Sequence, residues 1–265
     1  MRGAGLVKPF VKSIASARQQ MVLRNLWASF HRRNLDRLAA IYGTDKCGKH
    51  SYTPHYQKHF WPLRKRKLKL LEIGVGGYDD PHDGGESLRM WKKFFPRASI
   101  FAIDIHDKSA LQEKRITIFQ GSQADEAFLR QVMARIGQLD IIIDDGSHVN
   151  EHVRTSFRVL FPHLKDGGIY VVEDTQTAYW ANMGGCSDDL NRPDTTMAML
   201  KALVDGLNHE EFTIPDYTPS YFDRHITGLH FYHNLVFIYK GLNNEGGSRN
   251  KPLMEERRKA KWAAD

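Results

Sequence analysis

Along the middle of the chain, short β-branched apolar runs alternate with stretches whose apolar residues recur every three or four positions. Repeated five times, that alternation predicts a doubly wound, mostly parallel α/β sheet. The strand candidates are Leu68–Val75, Ser99–Ile105, Arg115–Phe119, Leu139–Ile143 and Gly168–Val172. Helices are predicted over Glu86–Phe95 and Asp125–Ile136, and through Val153, Phe157, Leu160, Phe161 and Leu164, with Gly167-Gly168 closing the last. Thr195–Leu207 reads as a further helix. Gly228–Tyr239 reads as two strands or one long bent strand, the former giving a final antiparallel hairpin. Near the start, Val7, Phe10, Val11, Ile14, Met21, Val22, Leu26, Trp27 and Phe30 fall roughly on one helical stripe with basic residues elsewhere. One or two amphipathic helices are expected there, lying on the main domain or on a partner subunit.

This pattern divides the chain into a helical extension over 1–40, a main domain over 41–242 and a charged, mobile tail over 243–265. Within the main domain, residues 41–60 are dense in Tyr, His, Gly and Thr and carry little apolar periodicity. They read as a loop-rich lid over substrate or cofactor, running into a helix from Thr53. The formal charge of +7 is concentrated in the extension, where eight Lys/Arg stand against the single acid Asp36. A basic leader of this kind can meet an anionic membrane, nucleic acid or an acidic partner, but its commonest role is a solvated helix face. No apolar run approaches the roughly 20 residues of a membrane-spanning helix. Two cysteines, Cys47 and Cys186, make no disulfide framework, which suits a reducing cytosol and a cytoplasmic protein.

Candidate chemistry gathers at predicted strand ends. The first strand runs into Glu72-Ile73-Gly74-Val75-Gly76-Gly77, where glycine lets the backbone approach a ligand closely. A dinucleotide fingerprint would place its third glycine at position 79, where Asp79 stands. The form suits S-adenosylmethionine, which has no pyrophosphate to cradle. Asp104, ending the second strand, is placed to accept both ribose hydroxyls, or else to cap a helix. Gln120–Gln123 offers polar groups to an adenine ring. The last two parallel strands end in Asp144-Asp145-Gly146-Ser147-His148 and Glu173-Asp174. A helix between parallel strands brings both clusters to the same sheet edge. Carboxylates converging there beside a histidine would repel one another unless a cation joined them, which points to a hard-metal site with a neighbouring base. The plain alternative is that these acids cap helices and face water.

Together, the Glu72–Gly77 turn, Asp104, the DDGSH of Asp144–His148 and the VEDT of Val172–Thr175 resemble a class I methyltransferase dependent on S-adenosylmethionine. More narrowly they are similar to the metal-dependent sugar O-methyltransferases of macrolide biosynthesis, the mycinamicin and demethylmacrocin type. YGTDK at Tyr42–Lys46 and YTPHY at Tyr52–Tyr56 extend the likeness, which covers Ile41 to Trp180. The resemblance implies a seven-stranded Rossmann-like sheet. It implies Mg²⁺ on Asp145, Glu173 and Asp174, with His148 as general base. It assigns the cofactor to Glu72, Gly74, Gly76, Asp104, Gln123 and Asp144, and makes Tyr56, Tyr179 and Trp180 candidates for contact with the acceptor.

The expected acceptor is a sugar hydroxyl on a small glycoside or oligosaccharide: a macrolide sugar, a rhamnoside, or a mannoside such as a methylmannose polysaccharide precursor. A homo-oligomer, dimer or tetramer, is expected from the apolar stripe of the extension. Three rivals stand beside this reading. A catechol-type enzyme would keep the fold and change the acceptor. A non-catalytic module binding cofactor or metal would have no need of the full acid set with a histidine. Nucleic-acid methylation lacks the Asn-Pro-Pro-Tyr-like motif that holds a flipped base, so no nucleic-acid partner is expected.

Overall fold

The computed structural model describes residues 17–248; the helical stripe expected through Val7, Phe10, Val11 and Ile14 and the charged tail from 249 lie outside the described residues. Seven strands form one sheet: β1 (Lys69–Ile73), β2 (Ser99–Asp104), β3 (Ile116–Gln120), β4 (Leu139–Asp144), β5 (Leu164–Glu173), β6 (Ile226–Tyr232) and β7 (Leu235–Lys240). Their order is β3-β2-β1-β4-β5-β7-β6. β1 and β4, β4 and β5, and β2 and β3 pair in parallel, whereas β7 runs antiparallel to both β5 and β6. The helices are α1 (Ala17–Phe30), α2 (Leu35–Tyr42), α3 (Thr53–Phe60), α4 (Glu86–Phe94), α5 (Glu126–Ile136), α6 (Asn150–Leu160), α7 (Thr196–Leu207) and α8 (Tyr221–His225). The expected doubly wound α/β sheet with its closing hairpin is therefore present.

The described residues fall into two compact units, 17–69 with 75–120, and 70–74 with 121–248. In the first, α4 buries Leu88, Met90, Trp91 and Phe94, and the Trp91 ring lies 4.9 Å from Tyr56 and 5.6 Å from Phe60. This packing corrects one expectation. Tyr56, predicted to touch the acceptor, lies on the helical stripe shared by Thr53 and Phe60 and is fully buried. Its ring is core. Tyr42, Lys46 and Tyr52 of the predicted lid are buried as well. By contrast α1 presents Met21, Val22, Leu26, Trp27 and Phe30 outward, Phe30 at 82% exposure.

In the second unit every residue of β4 is buried, as a strand covered on both faces should be. Asn150 to Leu160 is helical because Val153, Phe157 and Leu160 share one buried face. Here too the sequence reading needs correction. Gly167-Gly168 does not close this helix; a 3₁₀ turn, Phe161–His163, does, and both glycines lie inside β5. The β4–β5 register shifts between Leu139 and Ile141 on the partner strand, and a Cβ on Gly168 would stand 2.8 Å from the carbonyl oxygen of Lys165. The glycines thus serve a bulge rather than a helix end.

Candidate active site

In the second unit the parallel register sets Ile73 opposite Asp144 and Asp144 opposite Val172. Gly74, Asp145 and Glu173 consequently follow at one level along the carboxyl ends of β1, β4 and β5. The Asp145 amide continues the ladder, donating to the Ile73 carbonyl at 3.1 Å. A Cβ at Gly74, where φ is +93°, would lie 2.1 Å from the carbonyl oxygen of Asp145. Only glycine lets β1 end so close to the acidic turn.

Two overlapping groups of possible metal ligands result. Asp145, His148 and Asp174 each place a ligand atom within 4.8 Å of the others, and so do Glu72, Asp145 and Glu173. His148 Nε2 stands 3.6 Å from Asp174 Oδ2 and 3.9 Å from Asp145 Oδ1. His148 and Asp174 hold these positions through left-handed backbone, at φ of +57° and +51°. Non-glycine residues rarely adopt that conformation, and it recurs at functional sites. Glu72 and Glu173 are buried; Asp145, His148 and Asp174 are partly exposed. Oxygen-rich, multiply anionic donor sets suit a hard cation such as Mg²⁺, so the residues present fit the metal that the resemblance implies.

A second layer steadies the turn. Gln123 Oε1 accepts from the Ser147 amide at 2.7 Å, while its Nε2 donates to Asp144 Oδ1 at 3.0 Å. Asp144 is 1% exposed and also accepts from Tyr170 Oη at 3.1 Å and from Ser156 Oγ. Burial pushes its carboxyl pKa up, against the pull of the Ser156, Gln123 and Tyr170 donors. Asp144 and Gln123, expected on the cofactor, are thus joined inside the unit, where they brace the stretch that carries Asp145 and His148. Tyr179 and Trp180 follow Asp174 by a short 3₁₀ segment and are 37% and 48% exposed.

The first unit holds the remaining cofactor candidates. Val75 N donates to Asp104 Oδ2 at 2.9 Å, and His106 N donates to Asp104 Oδ1 at 2.9 Å. A carboxylate has about four acceptor positions, so Asp104 retains capacity for ribose hydroxyls. Past the glycine turn the chain folds back on itself. The Gly85 amide donates to the Val75 carbonyl at 2.7 Å, and a Cβ on Gly77 would come within 2.2 Å of Asp83 O. Lys108, fully buried, donates to the carbonyls of Asp80 (2.6 Å) and Asp83 (3.1 Å), fixing that loop. Sequence reasoning missed Lys108, because a lysine in a polar stretch carries no periodic signal.

A family model described as methyltransferase domain matches residues 71–175, from β1 through the second acidic cluster. Residues 71–175 belong to the methyltransferase-domain family. The chain is 51% identical over 216 residues to mycinamicin VI 2''-O-methyltransferase of Micromonospora griseorubida, covering 81% of the present chain and 54% of that protein. It is 52% identical over 218 residues to demethylmacrocin O-methyltransferase of Streptomyces fradiae, with 81% and 55% covered. Among solved structures, the MycE methyltransferase of mycinamycin biosynthesis, in complex with Mg and SAH, matches with a TM-score of 0.80 at 48% identity. That match covers 84% of this chain and 59% of MycE. The chain spans about half the length of the curated relatives it matches. The sheet order and the MycE match agree on a Rossmann-like methyltransferase fold.

Proposed function

We propose that this chain is a Mg²⁺-dependent O-methyltransferase that moves a methyl group from S-adenosylmethionine to a hydroxyl of a glycoside, with His148 as general base. The observation that carries it is the shared carboxylate cluster, Glu72–Asp145–Glu173 and Asp145–His148–Asp174, at the ends of β1, β4 and β5. Asp145, Glu173 and Asp174 would hold the metal. Glu72, Gly74, Gly76 and Asp104 would hold the cofactor, with Gln123 and Asp144 supporting the turn beside it. Tyr179 and Trp180, exposed just beyond Asp174, would stack on the acceptor.

When bound, Mg²⁺ supplies positive charge that lowers the pKa of an adjacent hydroxyl, and S-adenosylmethionine supplies a methyl group on a sulfonium. His148 takes the hydroxyl proton. The new O–C bond forms as the S–C bond breaks, and the electron pair stays on sulfur, leaving S-adenosylhomocysteine. In-line displacement needs the oxygen roughly 3 Å from the methyl carbon and aligned with it, so the acid cluster and the aromatic pair serve orientation as much as charge. A macrolide sugar or rhamnoside is the favoured acceptor, because the curated relatives named above act on macrolide glycosides and another is a rhamnosyl tetracenomycin-C 2'-O-methyltransferase. A mannoside offers a similar pair of vicinal hydroxyls.

The test is methyl transfer from labelled S-adenosylmethionine to a panel of rhamnosides, macrolide glycosides, mannosides and catechols, with Mg²⁺ and with EDTA. Label on a glycoside only with Mg²⁺ is the expected result. Label insensitive to EDTA overturns the metal site, and label confined to catechols overturns the acceptor class. A homo-oligomer belongs to the same proposal, supported by the exposed Met21, Leu26, Trp27 and Phe30 face of α1; a monomer mass by light scattering overturns it.

A further inference from the structure

Asn150, the first residue of α6, is buried and stands two positions past His148. Its Nδ2 donates to the carbonyls of Thr177 at 3.1 Å and Met183 at 2.9 Å. Its Oδ1 accepts from the Thr196 amide at 2.6 Å. Both donor hydrogens and the acceptor oxygen of the side chain are therefore engaged. The three partners are far apart in sequence. Thr177 and Met183 lie where the chain leaves β5 beyond Asp174, and Thr196 opens α7, where the excursion ends.

Between those ends the segment closes on itself. Gly185 N donates to Trp180 O at 2.8 Å, Cys186 N to Ala178 O at 3.0 Å and Ser187 Oγ to Tyr179 O at 2.7 Å. A Cβ on Gly185 would come within 2.5 Å of the Ala178 and Thr177 backbone. The segment is a compact surface loop whose two roots meet on one side chain, and it carries Tyr179, Trp180 and Leu190 exposed. One root is tied to the acid cluster as well, since both Thr177 N and Thr177 Oγ1 donate to Asp174 O at 3.1 Å.

We propose that Asn150 is a positioning residue for methyl transfer, a clasp that holds the 178–195 loop and its aromatic pair in register with the turn bearing His148. The proposal rests on the reading above, that this loop faces the acceptor. Truncating the amide strands two carbonyls and one amide without their partner, and leaves the exposed Arg192 guanidinium on the Gly184 carbonyl as a tie between the two arms of the loop.

Two variants separate the clasp from mere loss of fold. Asn150→Ala removes all three bonds. Thr196→Pro removes only the bond at the far root: Thr196 is the first helical residue, where proline is tolerated, and Thr195 is already extended at φ −91° and ψ 153°. In both, amide exchange across 178–195 is expected to rise about tenfold or more while S-adenosylhomocysteine affinity by calorimetry changes less than about twofold. For whichever glycoside of the panel is methylated, KM for the acceptor rises about tenfold with kcat within about threefold. Unchanged exchange, an unchanged acceptor KM, or cofactor affinity falling in step with the acceptor's overturns the proposal. If the unaltered chain methylates no glycoside, the functional reading fails, and the exchange data alone decide the clasp.

Discussion

The turn after β1 and the turn after β4 both bend through left-handed backbone, but they fill those positions differently. Past β1 the residues with positive φ are mainly Gly74, Gly76 and Gly77 at +93°, +80° and +72°. Side chains are absent there, so carbonyls and amides from the returning 83–85 segment come within hydrogen-bonding reach. Past β4 and β5 the comparable positions hold His148 and Asp174, the proposed base and one of the proposed metal ligands. Each carries a conformational cost on the order of 1 kcal/mol, less for Asp than for most residues. In the proposed reading the first turn offers its backbone to the cofactor. The second spends stability to aim an imidazole and a carboxylate.

That contrast is sharpest under substitution. His148→Ala should lower kcat by about 10²- to 10⁴-fold, the usual worth of a general base, with S-adenosylhomocysteine affinity held within about twofold. Activity kept at full level would remove His148 from the mechanism. Gly77→Ala should act through the other turn: a Cβ 2.2 Å from Asp83 O forces the returning loop outward. Cofactor affinity by calorimetry should fall about 10- to 100-fold, roughly 1.4 to 2.8 kcal/mol, with kcat at saturating cofactor less affected. Equal losses in both parameters would mean that the two turns are not separable.

A smaller effect tests the strain itself. His148→Gly should be as inactive as His148→Ala yet more stable by about 1 kcal/mol, because glycine accepts φ of +57° without penalty. Thermal unfolding of the pair decides it; an alanine variant at least as stable as the glycine one denies the strain. The smallest effect lies outside both turns. Asp223 in α8 is drawn up by burial but more strongly down by its donors Tyr217 Oη and the Ser220 amide and hydroxyl, so its pKa sits below the ordinary carboxylate value. Its contribution to stability is present above the ordinary carboxylate range and is lost as pH falls through the lowered pKa. The melting temperature should drop less steeply over that acid range in Asp223→Asn.

Much of this was legible because burial writes a period into sequence. β2 and β4 end within one residue of expectation, and α5 and α7 begin one residue after their capping residues Asp125 and Thr195, which the sequence reading had counted as helix. The acidic strand ends could be read because a parallel register brings residues that follow consecutive strands to one level. Three things left no such mark. Tyr56 looked like a lid residue because its neighbours are polar, yet it shares a stripe with Phe60 and is core. Gly167-Gly168 has the composition of a helix stop, and only the pairing of β5 with β4 shows it to be a bulge. Lys108 and Asn150 act through side-chain bonds to distant backbone, which neither periodicity nor spacing encodes.

In parallel pairing β1 meets β4, Leu70 opposite Ile141, so the strand that supplies Glu72 gains this neighbour only after about 70 further residues have been synthesised. Contacts of such sequence separation close late and slow folding. Until then Leu70–Ile73, three apolar residues and Glu72 that are all buried in the finished sheet, keeps one edge of backbone donors and acceptors unpaired. Such an edge invites pairing with other chains. Substitutions in β4 should therefore be felt first as poor recovery of folded protein, before any change in the chemistry of the turn that β4 carries.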